Sequence, residues 1–323
     1  MKLMNTKNLS HDEWLEMRQK GIGGSDIGSI FGLNPYKSAV ELWLEKTGEI
    51  TKPNITDLND RDNFSEPAYW GQAEEELVAQ RFMQETGMKV RRNNFILQHR
   101  SFPFMVANID REGRDEEGKR FVLECKTANE FAGKEWEGDN IPLSYELQTL
   151  YYVLIGEYDY GYIACKIGNR KFVYKKVELD QFTEKTIIEK CQWFWNLVET
   201  NTMPPVDSSE ACANILSEMY PVAKEESIHL DDEIDDLLNQ RETLKSQAKD
   251  LDSTIIYIEN EIKARLQDNE SGFTNQYKVS WKNVTSNRFD TKAFEKAHPD
   301  LKEKFTKTST SRRFDVKKLK GEK

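Results

Sequence analysis

Three side chains raise the chemical question: Asp110, Glu124 and Lys126. Glu124 and Lys126 stand two apart in the run Leu123-Glu124-Cys125-Lys126. On a strand they share one face, while Leu123 and Cys125 point the other way into apolar packing. Asp110 closes the preceding run, FMVANID. If the two runs pair as a hairpin, Asp110 lies beside Glu124, and two carboxylates and an ammonium converge at one sheet edge. Hard divalent cations such as Mg²⁺ take oxygen ligands and keep several waters. Carboxylates can hold them against a scissile phosphate, where they polarise the phosphate, generate hydroxide and stabilise the leaving oxygen. A neighbouring lysine can orient the attacking water, or accept its proton if its own pKa is lowered. The same trio also fits a surface hairpin with an ordinary Glu–Lys pair, because the pattern is short and common. Two features favour the chemistry. The strands are apolar enough to be central, and charge at the end of a central strand is costly to bury without a purpose.

The elements that must position these residues follow from local signals. Ser10 with Glu13 reads as a capping box opening a helix that runs to about Gln19. GIGGSD, residues 21–26, reads as a glycine-rich turn with Ser25 capping a short helix. Ser38 with Glu41 is a second capping box, and Gly48 ends that helix. Residues 52–66 read as a loop, and WGQAEEELVAQRFMQETG as a helix closed by Gly87. Residues 88–98, 103–109 and 119–126 read as strands, the last two joined by the polar turn REGRDEEG. A helix over 142–155, a hairpin over 159–178 turning at Gly168-Asn169, and a helix over 180–199 complete the set. Trp14, Trp43, Trp193 and Trp195 read as core rather than as stacking platforms.

The 323 residues suffice for a large domain with appendages. We expect a domain over 1–205, a linker over 206–228 beginning behind Pro204-Pro205, a helical segment over 229–268 and a basic α/β tail over 269–323. In the third part Leu230, Ile234, Leu237, Leu244, Ala248, Leu251, Ile255, Ile258 and Ile262 follow alternating steps of four and three, interrupted only at Arg241. That is a coiled-coil seam.

Net charge is −10, which alone argues against a phosphate partner. Its distribution argues otherwise. Residues 271–323 hold 14 Lys and Arg against 6 Asp and Glu, a local charge of +8, while the other 270 residues hold 32 against 50. A basic tail on an acidic body suggests an anionic partner. The four cysteines are far apart and form no CxxC pair, so zinc or iron–sulfur ligation is not expected. No run is apolar enough for a membrane span or a secretory signal, so a cytoplasmic, membrane-free protein is expected.

Asp110…Glu124-Cys125-Lys126 is similar to the PD-(D/E)XK nuclease motif, with Ile109-Asp110 in place of the usual Pro-Asp. More specific is the order of the pieces: Arg18 and GIGGSD, NPYKSAVELWLEKTG, WGQAEEE, NIDREG, LECK and YELQTLYY. In that order, over about residues 10–200, they resemble the YqaJ-like phage recombinases of the lambda exonuclease family. The tail, YKVSWK to RRFDVK, resembles one seen in many of these proteins.

The resemblance implies an α/β fold with a PD-(D/E)XK core, a mixed central sheet flanked by helices. It implies a Mg²⁺-dependent deoxyribonuclease, with Mn²⁺ able to substitute and two ions per site. Asp110, Glu124 and the backbone carbonyl of Cys125 would be metal ligands, Lys126 would handle the water, and Gln148 would close the site. Glu75 would be a further acidic residue near the ions. Glu75 shares a helical face with Val78 and Phe82, but Glu74 is nearly as well placed, and only the resemblance separates them. Arg18 and Ser25 would grip a terminal 5′ phosphate. A glycine-rich turn opening a helix offers N–H groups to an anion, and Arg offers a bidentate fork. Asn108 stands where the lambda protein has a serine near the phosphate, and that departure leaves its role open. The family further implies action on linear duplex ends in the 5′ to 3′ direction, homo-oligomers such as ring-like trimers, and a RecT-type single-strand annealing protein as partner in a phage or prophage setting.

Two other readings stand beside this one. A restriction-type endonuclease shares the trio but has no need of a chain end. A DNA-binding or assembly protein organised by the coiled coil would have no reason to keep Asp110, Glu124 and Lys126 together.

Overall fold

The computed structural model describes residues 1–5, 13, 17–51, 55–62, 64–308 and 311–318. The capping box expected at Ser10 lies outside the described residues, as does Trp14, and residues 17–19 are helical. The chain divides into two compact units, Met1–Tyr220 and Pro221–Lys323.

In chain order, the first unit comprises β1 (Lys2–Asn5), α1 (Gly24–Ile30), α2 (Ala39–Thr47), α3 (Glu66–Thr86), β2 (Val90–Arg92), β3 (Phe95–Gln98), β4 (Val106–Ala107), β5 (Arg111–Arg114) and β6 (Arg120–Ala128). There follow a 3-10 turn (Phe131–Trp136), α4 (Leu143–Gly156), β7 (Tyr160–Ile167), β8 (Lys171–Val177), α5 (Gln181–Glu199) and α6 (Glu210–Met219). The second holds α7 (Asp232–Leu266), β9 (Ser271–Phe273), β10 (Lys278–Ser280), α8 (Thr291–Ala297) and α9 (Pro299–Phe305). Among the described residues no helix is long and apolar enough to cross a membrane.

The central sheet runs β2-β5-β6-β7-β8. It is mixed: β6 and β7 pair in parallel, the other neighbours antiparallel. A smaller antiparallel sheet runs β1-β3-β4. Strand β6 fits the middle because it is apolar on both faces. Phe121 and Leu123 pack on Val78, Ala79 and Phe82 of α3. Val122, on the opposite face, joins the larger core with Leu150 and Val153 of α4.

Local signals explain the helix limits. The Ser38 hydroxyl accepts from the Glu41 amide at 3.1 Å. Helix α3 starts earlier than WGQAEEE suggested, because Ser65 caps it and Pro67 sits in its first turn. Gly87, at φ 73°, closes it in the left-handed conformation that glycine adopts without a Cβ clash.

Four expectations are corrected. Residues 88–98 form two strands that join different sheets, because Asn93 turns the chain, its side-chain oxygen accepting from the Phe95 amide at 3.1 Å. The stretch Arg111–Arg114, read as part of a turn, is strand β5. Its polar side chains are paired: Arg111 binds Glu75 and Glu76, and Glu112 accepts from Tyr158 and Arg91 at 2.8 Å each. The expected linker 206–228 contains α6, capped by Ser209, whose Ala211, Cys212 and Ile215 are buried, so the boundary falls near Tyr220. Trp193, expected in the core, is 38% exposed, whereas Trp43 is buried and Trp195 stacks on Phe104.

Candidate active site

The β5–β6 register pairs Arg111 with Leu123, which sets Asp110 level with Glu124 across the ladder. The Asp110 carboxylate accepts from the Cys125 amide at 2.8 Å, which fixes it at the edge of β6. Glu124 and Lys126 project from the face that carries Val122, towards α4. Lys126 Nζ lies 2.7 Å from Glu124 Oε1. Gln148 of α4 closes the triangle, donating to Glu124 Oε1 at 2.8 Å and accepting from Lys126 Nζ at 3.0 Å. Asp110, Glu124, Lys126 and Gln148 thus form one cluster.

Glu124 is buried at 3% exposure, and its second oxygen, Oε2, has no hydrogen-bond partner. A buried carboxylate oxygen without a donor is costly, so it marks a place that a cation would suit. Burial pushes the Asp110 pKa well above the usual carboxylate range, and Glu124 and Glu75 push it the same way; Lys126 and the Cys125 amide oppose them. Two neighbouring carboxylates and a backbone carbonyl form a hard oxygen donor set of the kind that divalent cations take. The site fits such an ion. Burial works against the charge on Lys126, but Glu124 outweighs it and raises the lysine pKa.

Glu75 approaches from the other side of the sheet. Its carboxylate is bound by Arg111, a buried guanidinium that also donates to Glu76 at 2.9 Å and to the Asp110 carbonyl at 2.8 Å. Glu74 is held by Lys166 of β7 at 2.8 Å. Glu75 therefore acts on Asp110 electrostatically but lies outside the bonded cluster. Among the described residues no three acidic, His or Cys side chains are gathered closely enough to hold an ion together. The Cys125 thiol is half-buried, and burial raises its pKa; its amide is the group that binds Asp110.

A cavity of about 200 Å³ adjoins the cluster, lined by Arg18, Gly23, Gly24, Ser25, Asn108 and Tyr152. The backbone builds it. The Ile22 amide donates to the Phe104 carbonyl at 2.6 Å and its carbonyl accepts from the Val106 amide at 2.9 Å, which lays the glycine-rich turn beside the chain leading to Asp110. Gly24 must be glycine, since a Cβ there would lie 2.1 Å from the Tyr152 ring. Ser25 lies inside α1 and does not cap it. Asp26 supplies the cap, its carboxylate accepting from the Gly23 amide at 2.9 Å, so that amide is not available to a ligand. Arg18 donates to Ser25 Oγ at 2.8 Å and to Asp26 Oδ1 at 3.3 Å. Asn108 is exposed at the cavity wall. The structure thus brings Arg18, Ser25 and Asn108 together in a place separate from the carboxylates.

Sequence reasoning missed four residues here. Tyr152 links both places, lining the cavity while its hydroxyl accepts from Gln148 at 2.9 Å. Its position one turn beyond Gln148 was the available signal. Asp26 lay inside GIGGSD but was passed over for Ser25. Nothing in the local pattern announced Arg111 or Lys46, a buried lysine whose ammonium pairs with Asp26.

The family model "YqaJ-like viral recombinase domain" matches residues 13–159. The chain is 38% identical over 321 residues to the uncharacterized protein YqaJ of Bacillus subtilis (strain 168), covering 98% of this chain and 97% of that one. Among solved structures, it matches an alkaline exonuclease (LHK-Exo) from Laribacter hongkongensis with a TM-score of 0.47 at 13% identity, over 66% of this chain and 100% of that one. It matches a phage-related exonuclease from Haemophilus somnus 129PT with a TM-score of 0.37 at 12% identity, over 64% and 99%.

Proposed function

The chain belongs to the YqaJ-like viral recombinase family, and from that membership we propose that it is a Mg²⁺-dependent deoxyribonuclease that digests linear duplex DNA from its ends, 5′ to 3′, leaving single strands for annealing. The observation that carries this reading is the cluster of Asp110, Glu124, Lys126 and Gln148, with one buried Glu124 oxygen left without a partner. A solvated Glu–Lys pair on a surface hairpin would have neither the burial nor the glutamine bridge.

Asp110, Glu124 and the Cys125 carbonyl would hold Mg²⁺ or Mn²⁺, with Glu75 reaching a second ion on leaving Arg111. The ions would supply charge neutralisation at the phosphate and activation of water. Lys126, held 2.7 Å from Glu124, would orient the attacking water or take its proton. Gln148 holds Lys126 and Glu124 at their mutual angle. Water attack that breaks the P–O3′ bond releases a nucleotide, passes a proton to the leaving 3′ oxygen and leaves a new 5′-phosphorylated end. Arg18 and Ser25 read that end, with Asn108 beside them.

The basic tail binds DNA or a RecT-type annealing protein, α7 mediates coiled-coil association, and the protein works as a homo-oligomer, as a trimer if it follows its family, in the cytoplasm of a bacterial host. The test is digestion of linear duplex DNA in Mg²⁺, in Mn²⁺ and in chelator. Activity in both metals and none in chelator supports the proposal; full activity in chelator overturns it.

A further inference from the structure

Helix α7 is an unbroken 35-residue helix, about 52 Å long. It is therefore not a helical hairpin that covers its own seam. Leu237, Leu244, Leu251, Ile255 and Ile258 are each between 51% and 66% exposed along it. Phe314 meets the seam at Arg241, with the guanidinium 5.8 Å from its ring. In heptad terms Leu237, Leu244, Leu251 and Ile258 occupy d, and Ile234, Arg241, Ala248, Ile255 and Ile262 occupy a. A four-heptad stripe that leaves Leu237, Leu244, Leu251, Ile255 and Ile258 more than half exposed needs a second helix.

Charge along the stripe says which helix fits and which way it runs. In a parallel, in-register pair of identical helices, Arg241 faces Arg241 in the seam, a buried repulsion. In an antiparallel pair centred between Lys249 and Asp250, the seam layers match Leu237 with Ile262, Arg241 with Ile258, Leu244 with Ile255 and Ala248 with Leu251. Arg241 then emerges between Glu259 and Glu261 of the second copy. Lys245 meets Asp252 of the second copy, twice by symmetry. Sliding one heptad either way is worse: one shift sets Lys245 against Lys245, the other sets Asp252 against Asp252 and Arg241 against Arg265. Glu259 and Glu261 meet Lys263 and Arg265 of their own helix at 3.4 and 3.2 Å, exposed pairs too weak to compete with a seam arginine.

We propose that α7 is a self-recognition helix that pairs with α7 of a second copy of this chain, antiparallel, in this register. The pairing specifies the association assigned to α7 above; it concerns α7 alone and holds whether or not the first unit forms rings or cuts DNA.

Cysteine cross-linking of the full-length protein tests orientation. Leu237→Cys and Ile262→Cys proteins are mixed and oxidised, with the wild type as control for the native thiols. The expected product is the mixed 237–262 disulfide between copies. A Leu237→Cys homodimer would show parallel pairing and overturn the proposal, as would no cross-link at all. A charge swap at exposed positions, which leaves folding intact, tests register by sedimentation equilibrium. Lys245→Asp is expected to raise the dissociation constant about tenfold, and Lys245→Asp with Asp252→Lys to restore it. Failure of the double variant to recover would overturn the register.

Discussion

The Lys46 ammonium lies 2.8 Å from the Asp26 carboxylate, with both side chains at most 3% exposed. The same ammonium donates to the Arg18 carbonyl at 2.6 Å, and Asp26 meets Arg18 at 3.3 Å. A buried ion pair thus underlies the wall of the cavity that holds Arg18 and Ser25. Lys46→Met leaves Asp26 buried with Arg18 as its remaining close cation. Losing one partner of a buried pair costs about 3 kcal/mol. Urea unfolding is expected to show that loss; a change below about 1 kcal/mol would mean that Arg18 alone satisfies Asp26.

Acid should expose the same pair. Burial by itself raises the Asp26 pKa, but Lys46 and Arg18 outweigh it and hold the carboxyl far below the usual range. A depressed folded pKa gives stability that is present above the unfolded value, about 3.9, and is lost as pH falls below it. Wild-type stability is therefore expected to fall below about pH 4 more steeply than that of Asp26→Asn. Parallel curves would remove Asp26 from the account.

Variants of the Asp110, Glu124, Lys126 and Gln148 cluster would separate binding from chemistry. Asp110→Ala and Glu124→Ala are expected to abolish cleavage while DNA binding, followed by gel shift, persists. Lys126→Met should slow turnover about a hundredfold with metal affinity largely kept. Gln148→Leu should slow it less, about tenfold, because Lys126 and Glu124 still touch. Wild-type rates in Asp110→Ala or Glu124→Ala would remove those residues from the site.

Much of this arrangement was legible in the sequence, for an identifiable reason. Strand alternation alone places Glu124 and Lys126 on one face and Leu123 and Cys125 on the other. The Ser38 and Gly87 caps read correctly because their hydrogen bonds are local. What failed depended on distant partners. Arg111 to Arg114 looked like a turn because its partners, Glu75, Glu76, Arg91 and Tyr158, are remote in sequence. The choice between Glu74 and Glu75 was equally non-local, since Lys166 and Arg111 take one each.

The basic tail makes a prediction about salt. If residues 271–323 contact phosphates, each contact releases counterions on binding. Deleting them should flatten the dependence of DNA affinity on salt concentration. An unchanged slope would assign the tail to protein contacts.

On the proposed function, the site works from a DNA end and reads a 5′ phosphate. A terminal monoester carries more charge and more acceptor oxygens than an internal diester. A charge-assisted contact from Arg18 contributes about 1.5–3 kcal/mol, roughly a tenfold to hundredfold preference. The most direct measurement compares three substrates in Mg²⁺: linear duplex with a 5′ phosphate, the same duplex with a 5′ hydroxyl, and a covalently closed circle. Fast, slower and no digestion are expected in that order, with Arg18→Ala closing the gap between the first two by slowing the first. Rapid cutting of the closed circle would contradict the account and identify an endonuclease.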